Sequence, residues 1–156
     1  MRIAGNVIGS RRNPLLYCGR SFPVTMAPEP PLVLLVEDFD DAREMYLEYL
    51  AFNGLRVAGA ADAVRGLQMA DELQPSIILM DAALPGLSGW DAIKELKANP
   101  RTRHIPVLMM TGHVLSDAKE RALAAGAEGF IPKPCLPDEL TRQILATLRK
   151  AQTSDV

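Results

Sequence analysis

Short apolar runs alternate with longer amphipathic stretches from residue 32 to residue 150. The short runs are rich in Leu, Ile, Val and Met and have the length of strands, whereas the longer stretches carry apolar residues at helical spacing. This pattern predicts strand–helix units repeated along the chain. We expect strands at residues 32–36, 55–59, 76–80, 105–110 and 129–131, and helices at residues 40–52, 63–73, 89–98, 116–125 and 138–150.

Local signals mark the limits and the burial of several predicted elements. Asn53-Gly54 ends the first helix, and Ser88 is an N-cap for the third. The third strand is apolar from Ile77 to Met80, which is typical of a central strand covered on both faces. One face of the first helix is expected to pack on the core through Ala42, Met45, Tyr46, Tyr49 and Leu50.

The regular alternation of strands and helices predicts the fold class. Strands joined by helices form a parallel sheet with helices on both faces, so we expect a doubly wound, five-stranded α/β fold. In such folds, ligands bind at the carboxyl ends of the strands, beside the point where the strand order reverses. The residues that directly follow the predicted strands are therefore the first candidates for a functional site.

Length and composition limit what else the chain can contain. With 156 residues, of which 48% are hydrophobic and 23% are charged, one soluble domain is expected. The formal charge of −2 gives no reason to expect nucleic-acid binding. No apolar run approaches the roughly 18 residues of a membrane span. The two cysteines, Cys18 and Cys135, provide neither a disulfide framework nor a metal motif. These features favour a cytoplasmic protein.

Residues 1–31 differ in character from the rest of the chain. They are rich in Gly, Asn, Arg and Pro and lack a helical or strand period. Residues 1–25 contain four arginines and no acidic residue. We expect a disordered N-terminal extension or a translation start at Met26, then one domain at residues 32–150 and a short tail at residues 151–156. No effector domain is expected.

Charged and hydroxyl side chains follow four of the five predicted strands. Glu37 and Asp38 follow the first strand, Asp81 the third, Thr111 the fourth and Lys133 the fifth. Three converging carboxylates would repel one another unless a cation compensates them, and oxygen ligands suit Mg²⁺. Lys133 and Thr111 could bind phosphoryl oxygens, and Asp81 could act as a nucleophile. The set predicts a site that captures a phosphoryl group.

Each of these residues also has a structural explanation when it is taken singly. Glu37 and Asp38 could complement the dipole of the following helix, Asp81 could begin a turn, and Lys133 could be a solvated lysine. Independent causes would, however, have to place acids, a hydroxyl and an amine at the same edge of the sheet. Their joint placement therefore favours the functional interpretation.

These residues lie in motifs that resemble the receiver domain of bacterial-type response regulators, the CheY-like superfamily of two-component signalling. The motifs are Leu34-Leu35-Val36-Glu37-Asp38, Asp81-Ala82-Ala83-Leu84-Pro85-Gly86-Leu87-Ser88-Gly89, Thr111-Gly112, Gly126-Ala127 and Phe130-Ile131-Pro132-Lys133-Pro134. The resemblance covers about residues 32–150 and implies the flavodoxin-like strand order 2-1-3-4-5.

The resemblance implies a phosphoprotein. Asp81 would accept a phosphoryl group from a phosphohistidine on a sensor histidine kinase or a histidine phosphotransfer protein, and Lys133 and Thr111 would bind the phosphoryl oxygens. Such a module is not an enzyme in the usual sense, because it catalyses only its own phosphorylation and dephosphorylation. The resemblance also implies Mg²⁺, or Mn²⁺ in its place, bound by Glu37, Asp38, Asp81 and the backbone carbonyl of Ala83.

The resemblance further implies how phosphorylation is read out. Thr111 would move towards the phosphoryl group and Phe130 would enter the vacated space, which shifts the surface of the fourth helix, fifth strand and fifth helix. That surface would bind a downstream protein or a second copy of the chain, without direct nucleic-acid contact or membrane insertion. A cis peptide bond is expected between Lys133 and Pro134.

Other functions suit the same pattern less well. An aspartate-nucleophile phosphatase would need a second Asp two residues after Asp81, where the chain has Ala83. A flavin-binding protein would leave Asp81 and Lys133 without a role. A DNA-binding regulator would need a helix-turn-helix segment, and we expect none in residues 151–156 after the fifth helix. An adaptor that acts without phosphorylation would keep the fold and lose the site, whereas this sequence contains every residue of the site. We also interpret His113, together with Ala83, as lining the approach to Asp81.

Overall fold

A helix follows each strand of the sheet in the computed structural model, which describes residues 27–112 and 117–154. The strands are β1 (Leu32–Val36), β2 (Arg56–Ala60), β3 (Ile77–Asp81), β4 (Val107–Thr111) and β5 (Gly129–Pro132). The helices are α1 (Asp40–Phe52), α2 (Ala63–Leu73), α3 (Gly89–Ala98), α4 (Ala118–Ala125) and α5 (Pro137–Ser154). All paired strands are parallel and lie in the order β2-β1-β3-β4-β5, which confirms the predicted fold class and strand order.

Some predictions fall outside the described residues. They concern residues 1–26 of the expected extension, His113, the beginning of the fourth helix at Ser116, and the last two residues of the chain. Residues 27–31, which are described, have no regular secondary structure but contact β2. The Arg56 N–H donates to the Pro31 carbonyl at 3.0 Å, and the Arg56 guanidinium pairs with Glu29 at 3.1 Å.

The predicted limits of β1, α1, α2 and α3 are confirmed, whereas other elements are displaced along the chain. β2 and β3 each lie one residue further on, and β4 begins two residues later than predicted. The limits of these strands are set by hydrogen-bonded pairing, such as Asp81 with Met110, which the apolar pattern does not reveal. α5 begins at Pro137, a favourable first residue for a helix, and continues to Ser154. The expected tail is therefore helical at residues 151–154.

Two apolar layers cover the sheet. Successive residues of a strand point to opposite faces. Leu34 and Met109 pack with the buried residues of α2, α3 and α4, whereas Leu35 and Met110 pack with those of α1 and α5. The central strands β3 and β4 are buried at every position, while the edge strands β2 and β5 are partly exposed. The prediction that the third strand is central is thus confirmed.

The core-facing stripe of α1 is narrower than predicted. Tyr46 and Leu50 are buried, but Met45 has 48% of its surface exposed. Successive residues are rotated by about 100° around a helix, so a helix lying on a flat sheet buries only the positions nearest the line of contact. The prediction that Met45 contributes to the core is therefore wrong.

Several local predictions are confirmed. The Ser88 hydroxyl caps α3 by accepting a hydrogen bond from the Asp91 N–H at 3.2 Å, and the Lys133–Pro134 peptide bond is cis. Among residues 27–112 and 117–154, none of the helices combines the length and the hydropathy that a membrane span requires.

The beginning of α3 lies directly against the end of β3. The Gly89 N–H donates to the Ala82 carbonyl at 3.2 Å. A Cβ atom at Gly89 would lie 2.0 Å from the Asp81 carbonyl oxygen and 2.9 Å from the Ala82 Cα atom. Both are backbone atoms, so rotation of a side chain could not relieve the overlap. Gly89 therefore allows α3 to pack against the strand end that carries Asp81.

Replacing Gly89 by alanine should destabilise the protein by roughly 3 kcal/mol, at the upper end of the usual cost of overpacking. Helix propensity alone would make Gly89→Ala stabilising by up to about 1 kcal/mol, so the sign of the change separates the two effects. Urea unfolding followed by circular dichroism measures this change in the free energy of unfolding. The control is Gly112→Ala, because a Cβ atom there meets nothing within 4 Å; equal stability of the two variants would contradict the close approach.

Candidate functional site

Three carboxylates meet at the carboxyl ends of β1 and β3. Glu37 and Asp38 follow β1, and Asp81 is the last residue of β3. β1 and β3 are neighbours in the sheet, so their ends lie side by side. One carboxylate oxygen from each of the three residues lies within 4.8 Å of the other two. Glu37 and Asp81 are buried, with 2% and 6% of their surface exposed, whereas Asp38 is exposed.

The ammonium group of Lys133 lies between two of these carboxylates. It hydrogen-bonds to Glu37 Oε2 and lies 3.3 Å from Asp81 Oδ2. Only 23% of the Lys133 side chain is exposed, so solvent screens these ion pairs weakly. Lys133 follows β5, and its N–H donates to the carbonyl of Thr111 at 2.8 Å. The structure thus brings residues from β1, β3 and β5 into one polar cluster.

Burial and charge shift the pKa values of this cluster. Burial raises the pKa of the Glu37 carboxyl, and the charge of Asp81 acts in the same direction, against hydrogen bonds from Lys133 and the Phe39 N–H. Burial also acts to lower the pKa of Lys133. Glu37 and Asp81 together outweigh it, so the pKa of Lys133 ends above its ordinary value and the side chain stays protonated. The lysine is therefore a permanent cation beside the carboxylates.

Backbone N–H groups hold the two buried carboxylates, and the Arg43 side chain holds the backbone of Glu37. The Phe39 N–H donates to Glu37 Oε1 and the Ala83 N–H donates to Asp81 Oδ1, each at 3.1 Å. Arg43 of α1 donates to the Glu37 carbonyl at 2.8 Å. These contacts leave little rotational freedom to Glu37 and Asp81. The role of the Ala83 carbonyl as a metal ligand stays a prediction.

Thr111 and Phe130, the two residues of the predicted switch, lie on the neighbouring strands β4 and β5. Thr111 ends β4, is 3% exposed and pairs with Pro132 of β5, while Met109 pairs with Phe130. Thr111 and Phe130 therefore lie on adjacent strands, two positions apart in register. Phe130 is partly buried against the core layer under α2, α3 and α4. The switching role of both residues stays a prediction.

Tyr46 and Tyr49 contact this region, and sequence reasoning missed them. The Tyr46 hydroxyl donates to the Cys135 carbonyl at 3.2 Å, and the Tyr49 hydroxyl donates to the Asp138 carboxylate. The apolar pattern of the sequence places both tyrosines only on one face of α1. Their spacing of three residues places them on one side of the helix. Their partners, about 89 residues further along the chain, leave no local signal in the sequence.

The cluster has the donors that a hard divalent cation prefers. All three carboxylates offer oxygen atoms, and no nitrogen or sulfur ligand belongs to the group found among the described residues. Oxygens bound to one octahedral Mg²⁺ lie roughly 3–4 Å apart, given Mg–O distances of about 2.1 Å. The three carboxylate oxygens here lie within 4.8 Å of one another, and Mg²⁺ usually keeps some water ligands. The residues therefore fit a magnesium ion.

Comparison with known proteins adds the family and its relatives. The family model of the response regulator receiver domain matches residues 33–145. The chain is similar to the phosphate regulon transcriptional regulatory protein PhoB of Escherichia coli (strain K12), with 39% identity over 118 residues, 76% of this chain and 52% of PhoB. It is also similar to the polar-differentiation response regulator DivK of Brucella anthropi, with 32% identity over 105 residues, 67% of this chain and 85% of DivK. The chain spans about half the length of PhoB.

Solved structures of similar fold include chemotaxis and kinase-linked receivers. The chemotaxis protein CheY4 of Vibrio cholerae matches with a TM-score of 0.72 and 27% identity, over 76% of this chain and 98% of CheY4. The receiver domain of the sensor histidine kinase PA1611 from Pseudomonas aeruginosa matches with a TM-score of 0.71 and 30% identity, over 76% of this chain and 98% of that domain. The PA1611 structure holds a magnesium ion in its active-site cleft.

Removing the Lys133 ammonium should destabilise the folded protein in metal-free buffer. Lys133→Met leaves Glu37 and Asp81 close together without a counter-charge, and we expect a loss of roughly 1–3 kcal/mol. Lys94→Met is the matched control, because Lys94 is exposed and lies 3.9 Å from its partner Asp91. Urea unfolding in the presence of a chelator measures both. If both variants lost the same free energy of unfolding, the buried ion pairs of Lys133 would stabilise the protein no more than an exposed pair does.

Proposed function

This chain belongs to the family of response regulator receiver domains, and we propose that it accepts a phosphoryl group on Asp81 as part of a two-component system. The observation that carries the proposal is the setting of the Asp81 carboxylate. It is buried at the end of β3, with the Lys133 ammonium 3.3 Å away and two further acids within 4.8 Å. An ion pair with a purely structural role would not need the additional carboxylates, whereas phosphoryl capture with a divalent cation uses them all.

Transfer to Asp81 forms one bond and breaks another. A carboxylate oxygen of Asp81 attacks the phosphorus atom of a phosphohistidine, in line with the bond to the imidazole nitrogen. The P–O bond forms, the P–N bond breaks, and its electron pair stays on the imidazole, which takes up a proton. Attack by water later releases inorganic phosphate and restores the carboxylate. Both steps concern the chain's own aspartate, so we do not propose turnover of other substrates.

Two groups of this chain would bind the transferred phosphoryl group, and a third would hold the Asp81 carboxylate. The Lys133 ammonium already lies beside Asp81 Oδ2 and can reach a phosphoryl oxygen on the same side. Thr111 ends the strand next to β3, so its hydroxyl can donate to a second oxygen. The Ala83 N–H, which donates to Asp81 Oδ1, holds the other carboxylate oxygen in place. Preorganised donors of this kind stabilise charge without reorganisation during the reaction.

The acidic cluster would hold the divalent cation. We assign Glu37, Asp38, Asp81 and the Ala83 carbonyl as ligands for Mg²⁺ or Mn²⁺, bound directly or through water. When bound, the ion supplies positive charge that offsets the negative charge of the phosphoryl oxygens. Lys133 alone cannot do this, because its one ammonium group already pairs with two buried carboxylates before any phosphoryl group arrives.

Phosphorylation would be read out through the outer surface of α4, β5 and α5. Thr111 and Phe130 lie on adjacent strands, so an inward shift of the threonine opens space for the phenylalanine ring. We propose a sensor histidine kinase or a histidine phosphotransfer protein as donor, and a downstream protein or a second copy of the chain as receiver of the signal. PhoB is by name a transcriptional regulator; for the segment described here we propose signalling by protein contact, without direct nucleic-acid contact.

Incubation with Mg²⁺ and acetyl phosphate should add one phosphoryl group, because Asp81 is the buried nucleophile of the cluster. Intact mass after a rapid acid quench measures the gain. Asp81→Asn should abolish it, whereas Asp91→Asn, at an exposed aspartate of α3, should leave it intact. No gain in the parent protein would favour a receiver-fold adaptor that acts without phosphorylation, and a gain that survives Asp81→Asn would refute the assigned acceptor.

Asp38→Asn should weaken Mg²⁺ binding roughly tenfold or more, because it removes one of the charged oxygen ligands. Isothermal titration calorimetry with MgCl₂ measures the affinity. Asp41→Asn is the control: Asp41 is also exposed, lies in the first turn of α1 and is not part of the carboxylate cluster. It should change the affinity by less than about threefold through long-range charge alone. Similar effects of both substitutions would contradict the ligand assignment.

A further inference from the structure

The loop that carries Lys133 must extend from β5 across the edge of the sheet, towards β3 and β1. Neighbouring strands lie about 4.8 Å apart, so in the order β1-β3-β4-β5 the fifth strand is roughly 10 Å from β3 and 14 Å from β1. A lysine has a four-carbon stem, which is shorter than either separation. The Lys133 ammonium nevertheless contacts both Asp81 and Glu37. The position of the backbone at residues 133–136 therefore decides whether the lysine reaches the site.

Tyr46 holds this loop from α1. Its hydroxyl donates to the Cys135 carbonyl at 3.2 Å, two residues beyond Lys133. The ring is buried in the core layer between α1, α5 and the sheet, where it packs with Leu50 and Leu140. A buried ring has few alternative rotamers, so its hydroxyl is a fixed point. Burial also raises the pKa of Tyr46, so the hydroxyl keeps its proton and remains a donor.

A second fixed point is the backbone of Lys133 itself. The Lys133 N–H donates to the Thr111 carbonyl at 2.8 Å and so ties the loop to β4. Beyond Lys133, the Leu136 carbonyl accepts from the Leu140 N–H at 3.0 Å, which ties the end of the loop to α5. Without the Tyr46 hydroxyl, the Cys135 carbonyl between these two bonds would lose its tyrosine donor. The Tyr46 bond is thus the side-chain contact that holds the middle of the loop, two residues beyond Lys133.

We propose that Tyr46 is a positioning residue for phosphoryl transfer, because its hydrogen bond to the Cys135 carbonyl sets the distance between the Lys133 ammonium and Asp81. The inference rests on the proposed function, since it concerns the efficiency of the same reaction. Tyr46 touches neither the phosphoryl donor nor the reacting atoms. It acts through Lys133, and misplacement of a charged group by about 1 Å can cost up to a hundredfold in rate.

Tyr49 provides a matched comparison on the same helix. Its hydroxyl also bonds across to the region after β5, but to the carboxylate of Asp138 in the first turn of α5. That contact is exposed and lies five residues beyond Lys133. It holds the helix and not the lysine-bearing loop. Tyr49→Phe therefore removes a hydroxyl and a hydrogen bond without freeing Lys133.

The test is a double-mutant cycle on the full chain. Phosphorylation by acetyl phosphate at saturating Mg²⁺ is followed by intact mass for the parent, Tyr46→Phe, Lys133→Met and the double variant, with Tyr49→Phe as control. Tyr46→Phe keeps the ring and so preserves core packing. We expect its rate to fall by roughly fivefold or more, Tyr49→Phe to remain within about twofold of the parent, and Mg²⁺ affinity to be unchanged in both.

The decisive comparison is made in the Lys133→Met background, which retains Asp81 and the acidic cluster. There, Tyr46→Phe should change the remaining rate by less than about twofold, because the group it positions is gone. An equal fall in both backgrounds would overturn the proposal and assign Tyr46 a general structural role. A parent-like rate for Tyr46→Phe would overturn it as well. Absence of phosphorylation in the parent would instead refute the proposed function, and the inference with it.

Discussion

The ion pairs that Lys133 makes with Glu37 and Asp81 are the interaction on which the arrangement of this site depends. Two buried carboxylates lie next to each other at the ends of β1 and β3, and the ammonium group between them offsets their repulsion. Burial strengthens both the repulsion and the compensating attraction, because solvent screens them only weakly. The two ion pairs are therefore a structural requirement of the buried carboxylates, and the proposed function gives the same ammonium group a second task.

The fold meets this requirement through its topology. β1 and β3 are direct neighbours, which brings Glu37 and Asp81 together, and β5 lies two strands beyond β3. The lysine must cross that distance, so contacts remote from the chemistry become important. Thr111 and Tyr46 anchor the loop on two sides, and Gly89 lets α3 approach the backbone of Asp81. Each of these contacts fixes the backbone and not the reacting atoms.

Much of the fold could be predicted, because apolar periodicity and turn residues act locally. The third strand, with Ile77-Ile78-Leu79-Met80, is central as expected, and Ser88 caps α3. Errors occurred where neighbours in space decide the outcome. The limits of β2, β3 and β4 follow from strand pairing, and Met45 is exposed because α1 touches the sheet along a narrow line. The helix expected to end at Lys150 continues to Ser154.

The sequence by itself determined the fold class, the strand order through its motifs, and the five polar residues at the strand ends, because each strand delivers its following residue to the same edge of a parallel sheet. Only the tertiary structure decided which of these residues touch. It placed Lys133 between Glu37 and Asp81, brought Gly89 against the backbone of Asp81, and joined Tyr46 to Cys135. The physical reason is that a hydrogen bond between residues 89 positions apart depends on how α1 and the loop after β5 pack, and no local pattern records that packing.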